Sequence, residues 1–211
     1  MSGTVSRRMQ AEWLREIGVD YVLPRRETLD DILKELTDCR RCALCGGRST
    51  IVFGVGNPHA RLFFVGEGPG SEEDRRGEPF VGAAGKRLDQ WIARIGLRRE
   101  DVYIANIVKC RPPGNRAPFP DEAKVCLPYL VRQLRAIGPE IICTLGATAL
   151  NFLLGVEEKI TRARGKWRDR DGIPVLPTYH PAYILRDPAR EAEVFEDFDA
   201  LARRLRLPTA I

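Results

Sequence analysis

One stretch decides how the fold of this chain is interpreted: Leu62-Phe-Phe-Val-Gly-Glu-Gly-Pro-Gly-Ser-Glu-Glu-Asp74. Its first four residues, Leu62 to Val65, are an apolar run typical of a buried strand. The next five residues contain three glycines and a proline, so neither a strand nor a helix continues cleanly through them. In α/β proteins, a strand that ends in such an open loop commonly binds a ligand.

Two common phosphate-binding motifs do not fit this loop. The dinucleotide fingerprint needs a glycine three residues after its second glycine, and Ser71 occupies that position. No Gly-Lys-Ser/Thr follows, and the carboxylates of residues 72–74 would repel a pyrophosphate. The loop is therefore a candidate for another ligand, with an ordinary strand-to-helix turn as the alternative.

The composition is that of an ordinary globular domain. The chain has 211 residues, 44% hydrophobic and 30% charged, enough for one domain with a sizeable core. The formal net charge of +5 fits a polyanionic partner, although many other proteins are as basic. No apolar run is long enough to span a membrane, and the first residues lack the apolar core of a signal peptide. We therefore expect a cytoplasmic protein with no membrane partner.

Six cysteines point to a metal site, because disulfides are rare in a reducing compartment. Cys39, Cys42 and Cys45 share the spacing of a bacterial ferredoxin run, but the fourth cysteine of that run is absent. Further ligands must come from elsewhere, and the candidates beside turn-forming or helix-starting sequence are Cys110 and Cys126. The pattern predicts a four-cysteine site for zinc or an iron–sulfur cluster.

Strands and helices alternate along most of the chain. A helical region over residues 10–38 includes a capping box from Thr28 to Asp31. The predicted strands are residues 62–65, 101–105, 139–145 (with Cys143 as a core thiol) and 173–177. The predicted helices are residues 84–95, a helix capped by Asp121, a short helix ending at Leu154, and residues 188–205. This alternation predicts a three-layer α/β/α fold around a mainly parallel, four-stranded sheet, plus the N-terminal helical segment.

A basic segment, Thr161-Arg-Ala-Arg-Gly-Lys-Trp-Arg-Asp-Arg170, precedes the last predicted strand. Its five basic residues are mostly two apart, which suits a hairpin with one basic face. We expect three of them to contact phosphates, namely Arg162, Arg164 and Lys166.

Three loops follow three of the predicted strands: Gly66–Gly70, Asn106–Cys110 and His180–Ala182. The carboxyl ends of parallel strands meet at one edge of a sheet, so these loops should lie together. With Glu78-Pro-Phe-Val-Gly82 and Asn106-Ile-Val-Lys-Cys-Arg-Pro-Pro-Gly-Asn-Arg116, they resemble the uracil-DNA glycosylase superfamily. The resemblance is specifically to the family 4 enzymes, which carry a four-cysteine [4Fe–4S] cluster, and it covers about residues 36–190.

The resemblance implies a ligand set and an activity. The cluster ligands would be Cys39, Cys42, Cys110 and Cys126, with Cys45 spare. The enzyme would be a monomer that flips uracil out of single- or double-stranded DNA and hydrolyses the N-glycosidic bond. It would leave an abasic site and so initiate base-excision repair. The glycosylase domain would comprise residues 36–211, after an N-terminal helical extension over residues 1–35 whose role is unassigned.

The resemblance also implies roles in a uracil pocket. Phe80 would stack on the flipped base, and the Asn106 amide would pair with uracil N3–H and O4. His180 would donate to O2, where negative charge grows as the bond breaks. Backbone N–H groups of the loop that begins with Gly66 and Gly68 would help to hold the same edge.

Two acidic residues receive more specific roles. Glu73 would crowd the 5-position of the base and exclude thymine. Better-known members of the superfamily carry a catalytic aspartate where this chain has Gly68, which leaves the water-activating group open. Glu67 is the candidate, although a strongly dissociative reaction needs little help from a general base.

The residues after His180 are candidates for contacts with DNA. Ile184 and Leu185 could form an apolar wedge that fills the gap left by the flipped base. Arg186 could bind a phosphate. Ordinary core packing is the alternative for the two apolar residues.

Two other functions remain open from the sequence. The first is a protein that binds uracil-containing DNA without turnover. Some relatives trap DNA covalently through a histidine after the asparagine motif, whereas residues 111–120 contain no histidine here. The second is an iron–sulfur electron-transfer protein, which would not need the loops at Asn106 and His180.

Overall fold

The computed structural model describes residue 16 and residues 27–207. The first part of the predicted helical region over residues 10–38 therefore lies outside the described residues, apart from residue 16. Its second part forms helix α1 (Leu29–Leu36). Thr28 Oγ1 accepts the Asp31 N–H at 3.3 Å, and the Asp31 carboxylate accepts the Thr28 N–H at 2.9 Å. The predicted capping box is thus confirmed.

A six-stranded sheet with strand order β1-β3-β2-β4-β6-β5 forms the centre of the fold. Its strands are β1 (Val55–Gly56), β2 (Leu62–Gly66), β3 (Tyr103–Asn106), β4 (Ile141–Leu145), β5 (Arg168–Arg170) and β6 (Ile173–Thr178). The four central strands are parallel and correspond to the four predicted strands. The predicted total of four is wrong because two short edge strands, β1 and β5, pair antiparallel to them. Neither edge strand contains an apolar run that would have indicated it.

Helices cover both faces of the sheet. After α1 they are α2 (Ser71–Arg76), α3 (Ala83–Arg94), α4 (Pro120–Ile137), α5 (Ala147–Leu154), α6 (Ile160–Ala163), α7 (Pro181–Arg186) and α8 (Glu191–Leu205). Helix α4 has Phe119 at its N-cap, so Asp121 lies in the first turn and not at the predicted cap. Among the described residues, no helix is both long and apolar enough to cross a membrane.

Alternate side chains of β2 build the two halves of the core. Leu62 and Phe64 pack with α3 and α8 on one face of the sheet. Phe63 and Val65 pack with α4 and α5 on the other face. All four are at most 1% exposed, and burying each such side chain contributes about 1.5–3 kcal/mol. The continuous apolar run of β2 therefore produces the predicted three-layer architecture, since both of its faces are covered.

The basic segment folds differently from the predicted hairpin. Its first residues belong to α6, and only Arg168–Arg170 pair with β6. The Gly165 N–H donates to the Pro177 carbonyl at 3.0 Å, which holds the segment beside the carboxyl end of β6. The two-residue spacing of its charges was therefore a poor guide, because a helical turn and an irregular link carry most of them.

Candidate active site

A pocket of about 520 Å³ opens at the carboxyl edge of the parallel strands. The loops after β2, β3 and β6 form its walls, together with the segment around Phe80. Its lining includes the residues that the sequence singled out as Glu67, Gly68, Glu73, Phe80, Asn106 and His180. The register Gly66↔Asn106 brings the first two loops side by side, as the parallel sheet predicted.

Asn106 ends β3 and carries the most distinctive atom of the pocket. Its side chain is buried, and Oδ1 has no hydrogen-bond partner among the described residues. A buried acceptor without a donor costs about 1–3 kcal/mol, so native proteins rarely leave one unpaired. Because Asn106 lines the pocket, a donor group of a molecule bound there can satisfy this atom.

Phe80 lies beside Asn106 and His180, and two glycines leave room for it. At Gly66, a Cβ would collide with Asn106 Oδ1 and with the Phe80 ring. At Gly85 in α3, a Cβ would collide with the main chain of Phe80, which has a left-handed φ of 54°. The Phe80 ring is 5.6 Å from the His180 ring, centroid to centroid. The pocket therefore offers a flat aromatic face beside the unpaired amide oxygen.

His180 is the N-cap of α7, and this position fixes its tautomer. Nδ1 accepts the Ala182 N–H at 3.1 Å, so the proton of the neutral ring sits on Nε2. Burial, reinforced by the positive charge of Arg186, lowers the pKa of His180 to about 4. At neutral pH the pocket therefore contains a neutral imidazole that donates from Nε2.

Glu73 joins two walls of the pocket. Its carboxylate accepts the N–H of Gly70 at 3.1 Å and the N–H groups of Val81 and Gly82 at 2.9 Å each. The glycine-rich loop and the loop that carries Phe80 are thereby fixed to one side chain. The sequence predicted contact with the base for Glu73 but did not indicate this second task.

Two pocket residues, Asn115 and Arg116, were missed as site candidates although both belong to the quoted asparagine motif. Asn115 has φ 56°, and its Oδ1 accepts from Arg111 Nε at 2.7 Å. Arg116 makes two hydrogen bonds to the buried Glu122, of 2.8 and 2.7 Å. A Gly-Asn pair is typical of a turn, but a turn alone does not indicate that its side chains face a pocket.

A second, small cavity, here called the cysteine cavity, is lined by Cys39, Cys42, Cys45, Cys110 and Cys126. Cys143 lies apart from it, fully buried in β4 as predicted. Within the part of the chain that the structure describes, no three His, Cys, Asp or Glu side chains are arranged to hold a metal ion. The cavity nevertheless brings together the three spaced cysteines and the two distant candidates.

Two N–H groups donate to sulfur atoms of the cysteine cavity. Arg48 Nη1 lies 3.3 Å from Cys110 Sγ, and the Lys109 backbone nitrogen lies 3.3 Å from Cys126 Sγ. Burial raises the pKa of both thiols, that of Cys126 to about 11, while the charges of Arg48 and Lys109 oppose this shift. The protein therefore supplies positive charge and hydrogen-bond donors where thiolates would need them.

The residues predicted to contact DNA divide into accessible and inaccessible groups. Ile184 is fully buried in the core, so the predicted contact with DNA is wrong for this residue, whereas Leu185 is 40% exposed. Arg164 is also a poor phosphate ligand, because its guanidinium binds the buried Asp197 carboxylate at 2.6 Å. The accessible basic candidates are Arg162, Lys166 and Arg186.

The chain matches a known protein family over most of its length. The family model described as the uracil DNA glycosylase superfamily matches residues 53–206, most of the chain. The chain therefore belongs to the uracil-DNA glycosylase superfamily.

Within the superfamily, the chain is similar to type-4 members. It is 48% identical to the type-4 uracil-DNA glycosylase of Archaeoglobus fulgidus over 82% of this chain and 90% of that one. It is 45% identical to the type-4 uracil-DNA glycosylase of Thermotoga maritima over 83% of this chain and 93% of that one. A type-5 uracil-DNA glycosylase of Pyrobaculum aerophilum is 30% identical over 72% and 82% of the two chains.

Proposed function

We infer that this chain is a uracil-DNA glycosylase, which takes uracil out of the DNA stack and hydrolyses its N-glycosidic bond. The product would be an abasic site, the starting point of base-excision repair. The observation that carries this inference is the buried, unpartnered Oδ1 of Asn106 at the wall of the pocket. Type-4 uracil-DNA glycosylases 41–48% identical to this chain support it.

Uracil matches the hydrogen-bonding groups of Asn106 better than cytosine does. Its N3–H is the donor that Asn106 Oδ1 lacks, and its neighbouring O4 accepts from the Asn106 amide N–H₂. Cytosine presents an acceptor at N3 and a donor at N4, which reverses both contacts. The Phe80 ring would stack on the base between these contacts and His180.

His180 is suited to stabilise the leaving base. As the glycosidic bond breaks, the bonding electrons move into uracil and negative charge grows on O2. A hydrogen bond from His180 Nε2–H to O2 would strengthen as this charge develops. The Ala182 N–H at Nδ1 keeps the ring in this tautomer, so no proton has to be rearranged before reaction. The main chain of Gly68 lines the same pocket and would add to the polar surroundings of the base.

Glu67 is our candidate for orienting the attacking water. It follows β2 directly and is half-buried in the pocket wall. The adjacent Gly68 has little room for a side chain, since a Cβ there would lie 2.8 Å from Val108 Cγ2. A carboxylate at position 67 would therefore take the role that an aspartate at position 68 cannot easily take in this backbone.

We also propose that Glu73 excludes thymine. Its carboxylate lines the pocket and is held by three backbone N–H groups, so it cannot easily move away from a 5-methyl group. A fixed side chain discriminates by shape more strongly than a mobile one.

We propose that Cys39, Cys42, Cys110 and Cys126 hold a [4Fe–4S] cluster. All four line one cavity, and N–H groups reach the sulfur atoms of Cys110 and Cys126. Each cysteine would bind a different iron, so the four need not converge on one point as ligands of a single zinc ion must. When bound, the cluster would tie the segment after α1 to the loop after β3 and to α4.

The cluster is tested by composition and by matched cysteine variants. Anaerobically purified protein is expected to be brown and to contain about four irons and four sulfides per chain. Cys110→Ala is expected to lose the colour and to melt at a lower temperature. Cys45→Ala, at a cysteine that lines the same cavity, is expected to keep both. Colourless protein with one zinc per chain would contradict the proposal.

Exposed residues after the His180 loop and in the basic segment would contact the DNA duplex. Leu185 follows the His180 loop and is the accessible candidate for the wedge that fills the space of the flipped base. Arg186, Arg162 and Lys166 are exposed and would contact phosphates, which adds affinity without sequence preference.

The function is tested by alkali cleavage of oligonucleotides that contain uracil or thymine opposite guanine. We expect cleavage of the uracil strand only, and none with His180→Ala. His59→Ala is the matched control, since His59 is the other histidine and is exposed. Binding of the uracil strand without cleavage would instead support a DNA-binding protein without turnover.

A further inference from the structure

Lys109 connects the two sites of the molecule. It is a fully buried lysine between Asn106 of the pocket and Cys110 of the cysteine cavity. Its Nζ donates to the Asn106 main-chain carbonyl at 3.0 Å and to Gln133 Oε1 at 2.7 Å. Its backbone N–H donates to Cys126 Sγ at 3.3 Å. One residue therefore contacts both the residue that faces uracil and a proposed cluster ligand.

This lysine is a costly choice for a buried position. Removing an ammonium group from water costs several kcal/mol unless strong partners compensate for it. Both acceptors of Lys109 Nζ are neutral oxygens, and a methionine of similar length would occupy the position at lower cost. A contribution to stability alone does not explain why a lysine stands here.

The Asn106 carbonyl gives the lysine a specific task. Asn106 is the last residue of β3, and the next residue continues the contact with the glycine-rich loop through a hydrogen bond from the Ile107 N–H to the Gly66 carbonyl. The Asn106 carbonyl itself accepts from Lys109 Nζ. Without that donor, the peptide after Asn106 would contain a buried unpaired acceptor and would be held through its N–H side alone.

Lys109 is itself anchored on elements outside the pocket. Its carbonyl accepts the Val52 N–H at 2.8 Å. Gln133, in α4, donates from Nε2 to the Phe53 carbonyl at 3.0 Å while it accepts from Lys109. The ammonium group is therefore fixed by a buried network that does not depend on a bound base.

We propose that Lys109 is a positioning residue for uracil recognition: it fixes the peptide of Asn106 so that the unpartnered Oδ1 faces the base. The proposal deepens the proposed function and rests on it. Misplacement of a contact group by about 1 Å can cost about 100-fold in rate, so a residue that never touches the base can still control excision.

The test is a double-mutant cycle on single-turnover excision of uracil from a single-stranded oligonucleotide, where no base pair has to open. Lys109→Met is expected to slow excision at least tenfold in the natural background. In the Asn106→Ala background it is expected to change the rate less than threefold, because the side chain that it positions is gone. Lys109→Leu, which also lacks a donor, is a second variant with the same expectation should Lys109→Met fold poorly.

Gln133→Leu is the comparison variant, because it removes the other acceptor of Lys109 and leaves the Asn106 contact in place. Since Gln133 also anchors the ammonium group, this variant is expected to lower the melting temperature and to slow excision, but by less than Lys109→Met does. Binding to an oligonucleotide with a stable abasic-site analogue is expected to be unchanged in Lys109→Met. Equal reductions in rate from Lys109→Met in both backgrounds, or no reduction in either, would overturn the proposal. If the natural protein itself did not excise uracil, the proposed function would fail instead.

Discussion

The pocket and the basic segment differ in whether their buried polar side chains have partners within the protein. In the pocket, Asn106 Oδ1 is buried without a partner among the described residues, and His180 offers an N–H donor to a ligand. In the basic segment, the most buried guanidinium, that of Arg164, is bound to the buried carboxylate of Asp197. Arg168 likewise pairs with Glu158 at 2.8 Å.

This difference distinguishes polar groups that are available to bind a ligand from polar groups that stabilise the fold. A buried polar atom in a native protein normally has a partner, so an atom without a protein partner at a pocket wall is available to a molecule bound there. A run of charges is a weaker sign, because its members can be neutralised within the protein. The two regions should therefore respond differently to mutation, the pocket in its activity and the basic segment in its stability.

The largest effect on activity is expected at Asn106. Asn106→Asp replaces the amide donor by a second acceptor, which would face uracil O4 without a hydrogen. An unpaired buried contact costs about 1–3 kcal/mol, and more with charge, so uracil excision should fall by at least one order of magnitude at neutral pH. Initial rates on oligonucleotides with uracil, cytosine or thymine opposite guanine measure this.

The Asn106→Asp variant should also change which bases are excised. Weak excision of cytosine is expected, because the carboxylate of Asn106→Asp can accept from cytosine N4. Thymine should remain uncut, since its exclusion is assigned to Glu73. Excision of uracil at the natural rate would remove Asn106 from the proposed recognition.

In the basic segment, the largest effect should be on stability. Arg164→Ala would remove the cationic partner of the Asp197 carboxylate, which is 1% exposed and also accepts from the Thr178 hydroxyl at 2.7 Å. Breaking a buried pair in this way costs about 3–5 kcal/mol. Arg162→Ala, two residues earlier and exposed, should cost less than about 0.5 kcal/mol. Urea unfolding of both variants compares them, and equal midpoints would contradict the distinction.

The low pKa of His180 predicts how acid affects the fold. The unfolded chain binds a proton on this histidine below pH 6.5, whereas the folded protein does so only near pH 4. Stability should therefore fall as the pH decreases from 6.5 to 4, by at most about 3 kcal/mol, and by less where solvent reaches part of the ring. His180→Asn retains a capping acceptor and should lack this component of the acid sensitivity. Unfolding of both proteins by urea across this pH range gives the comparison.

The smallest effect is expected from the exposed basic residues. Alanine at both Arg162 and Lys166 should weaken DNA binding at every sequence and leave the melting temperature unchanged. For each phosphate that the variant no longer neutralises, the slope of log affinity against log salt concentration should flatten by about one. An unchanged slope would mean that these side chains face solvent in the complex.

The sequence was sufficient to predict the parallel core and the edge that carries the pocket. Continuous apolar runs such as Leu62–Val65 mark strands covered on both faces, and the loops after them necessarily meet. The fold's short edge strands escaped prediction because Val55–Gly56 and Arg168–Arg170 carry no pattern of strand-forming side chains. The roles of individual side chains were harder to predict where a residue, such as Ile184, lies one helical position away from an exposed one.

The remaining roles were not predicted because they depend on ion-pair and hydrogen-bond partners from distant parts of the chain. The buried Asp197 is 33 residues from Arg164, and no local pattern indicates that they pair. Lys109 belongs to the asparagine motif, but nothing in the sequence indicated a role for it. Its burial and its hydrogen bond to Gln133 depend on the packing of α4. Motif spacing predicts which loops meet, whereas tertiary packing decides which atoms are left without partners.

The central claim, that Asn106 Oδ1 accepts the N3–H of uracil, can be tested with a modified substrate. N3-methyluracil lacks this donor and keeps the rest of the base. Single-turnover excision of uracil and N3-methyluracil should differ by at least 100-fold in the natural protein and by less than tenfold in Asn106→Ala, where no acceptor is left unsatisfied. A similar ratio in both proteins would show that Asn106 does not recognise this edge of the base and would contradict the account.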